Sequence, residues 1–381
     1  MSAPVKILVA YATAGIGHKK AAMAVEEALK AIGNGFEVKT IDVLDYTNPF
    51  FKKNYPSVYL FLISRMIHVW GLLYYFFDIP FVHRLAAPLR RLYHAANARG
   101  LLRFLEEYRP DVVVSTHFLL PDVAIEAKKK IPGMKVINVV TDYRAHAFWI
   151  SGGVDAYVAA HENTKADLVG KWLIDPDAVK IIGIPVEPKF SKDHDRRLTR
   201  VHLNIPDTDF TVLLLSGGFG VGPIYETIKL LEPLKDRLSV IAVCGHNKKL
   251  YERVEALKKE LGAMRVINLG YVNTIDELMA ASDLYVGKAG GISIAESLAM
   301  GLPLVFVRPI PGQESRNADF VLARKAGMKV AHFRQIFGIV KELKEGPEKL
   351  KVLKTNVEAI SKKRAAAAIA EFVISYGGIK T

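Results

Sequence analysis

The sequence predicts an α/β chain of two halves, each a parallel sheet covered by helices on both faces. Three observations carry that expectation. Apolar, β-rich runs alternate with amphipathic stretches nearly throughout, the pattern of βαβ units. Several runs, such as Val112-Val113-Val114 and Val212-Leu213-Leu214-Leu215, are apolar without a break, which suits strands buried on both sides. The pattern of strand, glycine-rich turn and helix then restarts at Phe210, after the proline-stiffened Gly183-Ile184-Pro185-Val186-Glu187-Pro188 and a charged run over 191–200. A chain of 381 residues also exceeds one ordinary core.

Taken in order, strands are expected at 5–10, 36–41, 111–115, 135–140, 155–159 and 179–182, then at 211–216, 239–243, 265–268, 283–286 and 303–306. Helices fall between them, for example over 19–32 and 292–300. The domains divide as 1–187, 188–361 and a terminal helix in 362–381. The first residues run straight into strand 5–10, which leaves no stretch for a secretory signal. Cys244 is the single cysteine, which suits a reducing compartment. A cytoplasmic protein is therefore expected.

The formal net charge of +13 favours anionic partners. Residues 50–105 carry eight Lys/Arg against one acid, Asp78, interleaved with aromatic rings. Lys52, Lys53, Arg65, Arg90 and Arg91 supply cations there, and Trp70 an interfacial ring. Residues 58–77 approach the length of a membrane span. Arg65 and His68 sit mid-segment, however, where a charge costs roughly 2.5–3.5 kcal/mol. A pair of helices lying in the headgroup layer of an anionic membrane fits better, with an aromatic core layer as the alternative. Nucleic acid is not expected, because the stretch is too apolar and no reader motif accompanies it.

Three glycine-bearing turns carry the chemistry. Ala14-Gly15-Ile16-Gly17-His18 follows the first strand and opens a helix, placing amides for an anion and a histidine suited to general base work. A helix-capping role for His18 is the alternative. Ser216-Gly217-Gly218-Phe219-Gly220-Val221-Gly222 opens the second half in the same way and lacks the Lys-Ser/Thr ending of a P-loop. The third, Lys288-Ala289-Gly290-Gly291-Ile292-Ser293, leads into a helix bearing Glu296, a carboxylate able to accept from two ribose hydroxyls. A polar loop, Pro311-Gly312-Gln313-Glu314-Ser315-Arg316-Asn317, follows the next strand. Asp142 and His146, after strand 135–140, are rival bases or partners of His18. His117 and Trp149 suit either the site or the core. The pairs Asp193/Asp195 and Asp207/Asp209 read as solvated loop, not as metal ligands.

The order and spacing of these pieces resemble the diacylglycerol glycosyltransferases, the plant monogalactosyldiacylglycerol synthases and bacterial diacylglycerol glucosyltransferases. The likeness rests on Gly15-Ile16-Gly17-His18, Thr141-Asp142 with His146 and Trp149, Gly183-Ile184-Pro185-Val186, Ser216-Gly217-Gly218, Val243-Cys244-Gly245-His246-Asn247 and Gly270-Tyr271-Val272. It continues through Lys288-Ala289-Gly290-Gly291, Ala295-Glu296 and Pro311-Gly312-Gln313-Glu314 with Asn317. The resemblance implies a GT-B fold, two facing Rossmann-like domains with an interdomain cleft. It implies inverting transfer of a hexose from UDP-glucose or UDP-galactose to diacylglycerol at the inner face of the cell membrane, without a cofactor or essential metal. Carried over, Glu296 holds the ribose, and Gly217, Gly218, Gly290, Gly291 and Ser293 surround the diphosphate, with Gly17, Gly245 and Lys288 nearby. Tyr271 and Val272 face the uracil, Gln313, Glu314 and Asn317 the sugar, and Trp149 the acceptor side. The first turn departs from the family's frequent three glycines, and Phe219 replaces an acid of the plant enzymes. A polyprenyl-linked or soluble acceptor, or a UDP-sugar epimerase on the same fold, are the competing readings.

Overall fold

The computed structural model describes residues 4–13, 15–33, 35–216 and 222–379. The chain forms two compact units. One comprises Met1–Pro188, Pro311–Gln313 and Arg364–Thr381, the other Lys189–Ile310 and Glu314–Lys363.

The strands are β1 Val5–Tyr11, β2 Phe36–Asp42, β3 Val112–Ser115, β4 Lys135–Val139, β5 Ala156–Ala159 and β6 Val179–Ile181, then β7 Phe210–Leu215, β8 Leu238–Val243, β9 Arg265–Leu269, β10 Leu284–Gly287, β11 Leu304–Val307 and β12 Gly327–Val330. The helices of the first half are α1 Ile16–Ile32, α2 Pro49–Arg65, α3 Ile67–Phe77, α4 Pro80–Asn97, α5 Arg99–Tyr108, α6 Leu119–Lys130 and α7 Glu162–Ala166. After them come α8 Arg196–His202, α9 Ile224–Leu231, α10 Lys248–Glu260, α11 Ile275–Ala281, α12 Gly291–Ala299, α13 Gln313–Ala323, α14 Gln335–Glu345, α15 Pro347–Ile360 and α16 Ala365–Tyr376.

Both sheets are wholly parallel, in the orders β2-β1-β3-β4-β5-β6 and β12-β11-β10-β7-β8-β9. Each chain path runs outward on one side and then reverses, between β1 and β3 in the first sheet and between β7 and β10 in the second. Ligands of open α/β sheets gather beyond the carboxyl ends of strands at such reversals. The strand β12 was not expected from the sequence. Gly327-Met328-Lys329-Val330 is too short and mixed to read as a strand, and it pairs on one side only, with β11.

In the first unit, α1 and α16 cover one sheet face through Ala22, Val25, Leu29, Ile369 and Val373, while α5 and α6 cover the other through Leu101, Leu105, Leu120 and Val123. The second unit packs Val212, Leu214, Val240 and Val286 against Ile228, Val254 and Ile336. At roughly 25 cal/mol per Å² of apolar surface, these buried layers are the main stabilising contribution.

The basic-aromatic segment is not a helix pair. It folds as four helices, α2 to α5. Asn48 caps α2 by accepting from the Phe51 amide at 2.8 Å, and Pro49 and Pro80 start α2 and α4 at a position where no amide hydrogen is needed. The chain bends by 115° between α2 and α3, and no single helix among the described residues is long and apolar enough to cross a membrane.

Candidate active site

In the first unit, the residues singled out from the sequence collect beyond the carboxyl ends of β1, β3 and β4. His18 is the third residue of α1, so it stands inside the first helical turn, not before it. Its Nδ1 lies 2.7 Å from the Thr116 carbonyl, and the Thr141 hydroxyl is 3.3 Å from the same atom. A carbonyl only accepts, so Nδ1 carries the proton and Nε2 keeps its lone pair. The Thr116 hydroxyl in turn donates to the His18 carbonyl at 2.9 Å, holding ring and backbone together. Burial pushes the imidazole below its ordinary pKa, while the Asp142 carboxylate and the Thr116 carbonyl pull it upward. The ring is therefore neutral at physiological pH, with a fixed tautomer and a basic nitrogen available.

His117 meets His18 edge to face at 4.7 Å between ring centroids and is almost wholly buried. Its Nδ1 accepts from the Leu119 amide at 3.1 Å, and burial, with His18 and His94 nearby, holds its pKa well below the usual histidine value. Trp149 lies 6.0 Å from the His18 ring and donates Nε1–H to Asp142 Oδ2 at 3.3 Å. Asp142 thus belongs beside His18 as an electrostatic partner.

Several expectations need correcting. His146 is buried, with Nδ1 accepting from the Phe148 amide at 3.1 Å and Nε2 donating to the Tyr74 carbonyl at 2.8 Å. Both nitrogens hold the fold together, which removes His146 as a base. Arg90, expected on the membrane face, points inward. It forks onto Asp122 at 2.9 and 3.1 Å and reaches the carbonyls of Ala147 and Ile150 at 3.2 and 2.7 Å. Trp70 packs between helices α2 and α3 against Tyr59 and Tyr74, and Trp149 is buried. Lys53 and Arg65 are exposed, Lys52 is exposed and paired with Asp45 at 2.8 Å, and Arg91 is half-buried. Asp209 is not solvated: it is buried, accepting from Ser239 and Arg265 at 2.7 Å each. Asp195 caps α8 by accepting from the Leu198 amide. Among the described residues, no group of three His, Cys, Asp or Glu side chains gathers as a metal cradle.

Sequence reading also missed the outward face of α4. Phe81, Leu85, Leu89 and Leu92 are each more than 60 % exposed. At about 100° per residue they form one stripe roughly 80° wide. Arg90 lies about 140° round from the stripe's centre by the same arithmetic, so helical periodicity was the signal that places it inside.

In the second unit, the third glycine-bearing turn lies between β10 and the helix α12. Gly290 caps α12 in extended conformation and offers no capping side chain of its own, and Gly291 begins the helix. Amides at such a helix start attract a diphosphate. Gly287 is required by packing: a Cβ there would stand 2.5 Å from the Tyr285 hydroxyl. That hydroxyl donates to the Lys288 carbonyl at 2.9 Å and meets the Ser293 hydroxyl, bracing the turn. Asn317 is fully buried and donates to the Ala289 carbonyl at 3.3 Å, and Glu314 accepts from the Ile310 amide at 2.9 Å. Both side chains shape these loops, and Gln313 is the first residue of α13. Glu296 is 3 % exposed, one turn and a half into α12. Beyond β8 and β9, Gly245 takes a left-handed φ of 59°, and His246 stacks on the half-exposed Tyr271 ring at 4.4 Å, with Val272 following. Gly217 and Gly218, the diphosphate candidates of the second motif, lie outside the described residues.

Two Rossmann-like units, each with a glycine-bearing turn at its sheet reversal, define the GT-B class of fold. Residues 18–186 match the family described as monogalactosyldiacylglycerol (MGDG) synthase, and residues 211–372 the glycosyltransferase family 28 C-terminal domain. The chain belongs to the diacylglycerol glycosyltransferase family. It is 30 % identical to the processive diacylglycerol beta-glucosyltransferase of Staphylococcus aureus (strain MRSA252), over 73 % of this chain and 70 % of that protein. It is 28 % identical to the enzyme of the same name from Bacillus subtilis (strain 168), over 99 % of this chain and 96 % of that one. The fold is similar to that of Acinetobacter baumannii MurG, with a TM-score of 0.65 at 16 % identity, covering 98 % of this chain and 100 % of MurG. It is also similar to S. aureus MnaA in complex with UDP, with a TM-score of 0.66 at 14 % identity, covering 99 % and 98 %.

Proposed function

We propose that this enzyme transfers a hexose, glucose or galactose, from its UDP form to diacylglycerol with inversion at the anomeric carbon. The single observation that carries the reading is the histidine at the first sheet's reversal, His18, with its proton fixed on Nδ1 and its basic Nε2 left for the acceptor. In the reaction the bond from sugar C1 to the diphosphate oxygen breaks and UDP departs with the electron pair. The diacylglycerol hydroxyl attacks C1 from the opposite face, and its proton passes to His18 Nε2. Asp142 stabilises the imidazolium so formed. The first-turn amides of α12, with Lys288 beside them, take up the negative charge that develops on the diphosphate. Glu296 holds the ribose hydroxyls.

Access to a lipid acceptor follows from α4. Its exposed stripe of Phe81, Leu85, Leu89 and Leu92, with the exposed Arg84 beside it, suits a peripheral position on the cytoplasmic face of an anionic membrane. A soluble acceptor would need no such surface. The test incubates the purified protein with radiolabelled UDP-glucose or UDP-galactose and vesicles containing diacylglycerol, with and without anionic lipid. Labelled glycolipid is expected, more of it on anionic vesicles. A protein that binds UDP and yields no lipid product with either donor overturns the acceptor assignment.

A further inference from the structure

We propose that Arg90 is a positioning residue for the transfer reaction: it clamps the 147–150 turn so that Trp149 holds Asp142 beside the base. The inference rests on His18 being that base. Arg90 sits on α4, on the side away from the exposed apolar stripe, and its side chain is largely buried. Its fork onto Asp122 fixes the guanidinium plane at 2.9 and 3.1 Å. Asp122 is itself held by His94, on the next turn of the same helix, at 2.8 Å. Although burial raises the Asp122 carboxyl, His94 and Arg90 outweigh it and keep the group ionised. So oriented, the guanidinium meets the converging carbonyls of Ala147 and Ile150. These carbonyls belong to one tight turn, Ala147–Trp149, and to Ile150 that closes it, and a planar cation with several donors is the group that can satisfy them together.

The other ties on this turn leave Arg90 a distinct task. Asp78, at the end of α3, accepts from the Ala147 amide at 2.9 Å, and Asn138, on β4, donates to the Trp149 carbonyl at 3.0 Å, tying the turn to α3 and to the sheet. Arg90 alone, among the side-chain contacts described for this turn, joins it to the helix that carries the apolar stripe. From the turn, the Trp149 indole reaches Asp142 at 3.3 Å and packs 6.0 Å from His18. The groups facing the His18 ring are Asp142, His117, the Thr116 carbonyl and the Thr141 hydroxyl, and Asp142 is the charged one. A lysine at position 90 would keep the charge near Asp122 without matching the carbonyls. The turn would then loosen, Asp142 would move from His18, and the imidazolium formed during transfer would lose its partner.

The experiment compares the full-length protein with Arg90→Lys, Trp149→Phe and the double variant. Arg90→Lys is expected to lower kcat about tenfold with the KM for the UDP-sugar changed less than twofold. The acid limb of the kcat profile should move to lower pH, because losing a nearby carboxylate makes His18 less basic. The double variant should be no slower than Trp149→Phe, since both changes break one chain of contacts. NMR titration of histidine-labelled protein without substrates reads the same His18 shift independently of turnover. Additive losses in the double variant, or an unmoved His18 titration in Arg90→Lys, overturn the proposal. Absence of turnover by the unaltered enzyme would instead count against the transferase reading, and the NMR result would still decide the role of Arg90.

Discussion

Replacing His18 by Gln leaves a side chain of similar reach that cannot take a proton. In the native protein the Thr116 carbonyl occupies Nδ1 at 2.7 Å, so the only basic atom lost is Nε2. A well-placed general base contributes about 10²- to 10⁴-fold, which at about 1.36 kcal/mol per factor of ten is roughly 3–5.5 kcal/mol of barrier. His18→Gln should therefore lower kcat by that factor and leave the affinity for UDP, which the proposed reading assigns to the second unit's turns, within twofold. The pH profile sharpens the test. Burial holds the His18 pKa below its ordinary value against the pull of Asp142. Activity of the native enzyme should thus stay level as pH falls from 8 to about 6.5 and decline only below it. The assay follows UDP release with diacylglycerol vesicles between pH 5 and 9, paired with calorimetric UDP binding. Retention of more than a tenth of kcat in His18→Gln, or an acid limb that persists in it, would refute the assignment of the base.

Three further outcomes are expected. Glu296→Ala should weaken UDP binding about 10- to 100-fold by calorimetry, as charged hydrogen bonds contribute about 1.5–3 kcal/mol, with UMP and UDP affected alike because the ribose is common to both. Leu85→Asp with Leu89→Asp on α4 should reduce vesicle flotation at least tenfold and leave UDP binding unchanged, since burying a leucine in an apolar layer contributes about 1.5–3 kcal/mol. For His117, the unfolded chain binds protons near pH 6.5 while the folded ring resists them. Its contribution to stability is then complete above pH 6.5 and lost as the solution becomes more acidic, by about 1.4 kcal/mol per pH unit. Urea denaturation of His117→Gln should accordingly show a shallower fall between pH 6.5 and 5 than the native protein.

Most of the strands and the glycine-bearing turns at His18 and Gly290 could be read from the sequence, because parallel strands buried on both sides leave continuous apolar runs and the turns leave glycine. The topology then adds a reason for the turns: those at His18 and Gly290 flank the two sheet reversals. What escaped was direction. Arg90 and Arg91 are neighbours in a basic segment, and composition treats them alike, yet the rotation of about 100° between them sends Arg90 into a buried fork with Asp122. His146 sits in a plausible catalytic pattern, and only coordinates reveal that the Phe148 amide and the Tyr74 carbonyl consume both its nitrogens. The stripe of Phe81, Leu85, Leu89 and Leu92 was legible at helical spacing, but the richer aromatic signal of the neighbouring residues concealed it. Asp209 shows the converse, a loop-like sequence whose carboxylate is drawn under the sheet by Ser239 and Arg265.

The pairing of α16 with α1 makes the first unit a product of both chain ends, with the whole of Lys189–Ile310 synthesised between them. Until Ile369 and Val373 leave the ribosome, Ala22, Val25 and Leu29 have an uncovered apolar flank. The core of the first unit therefore closes only once α16 has been made. Expression of residues 1–188 alone would leave that flank bare, and a fusion appending Arg364–Thr381 is the way to obtain the unit as a separate, well-behaved piece.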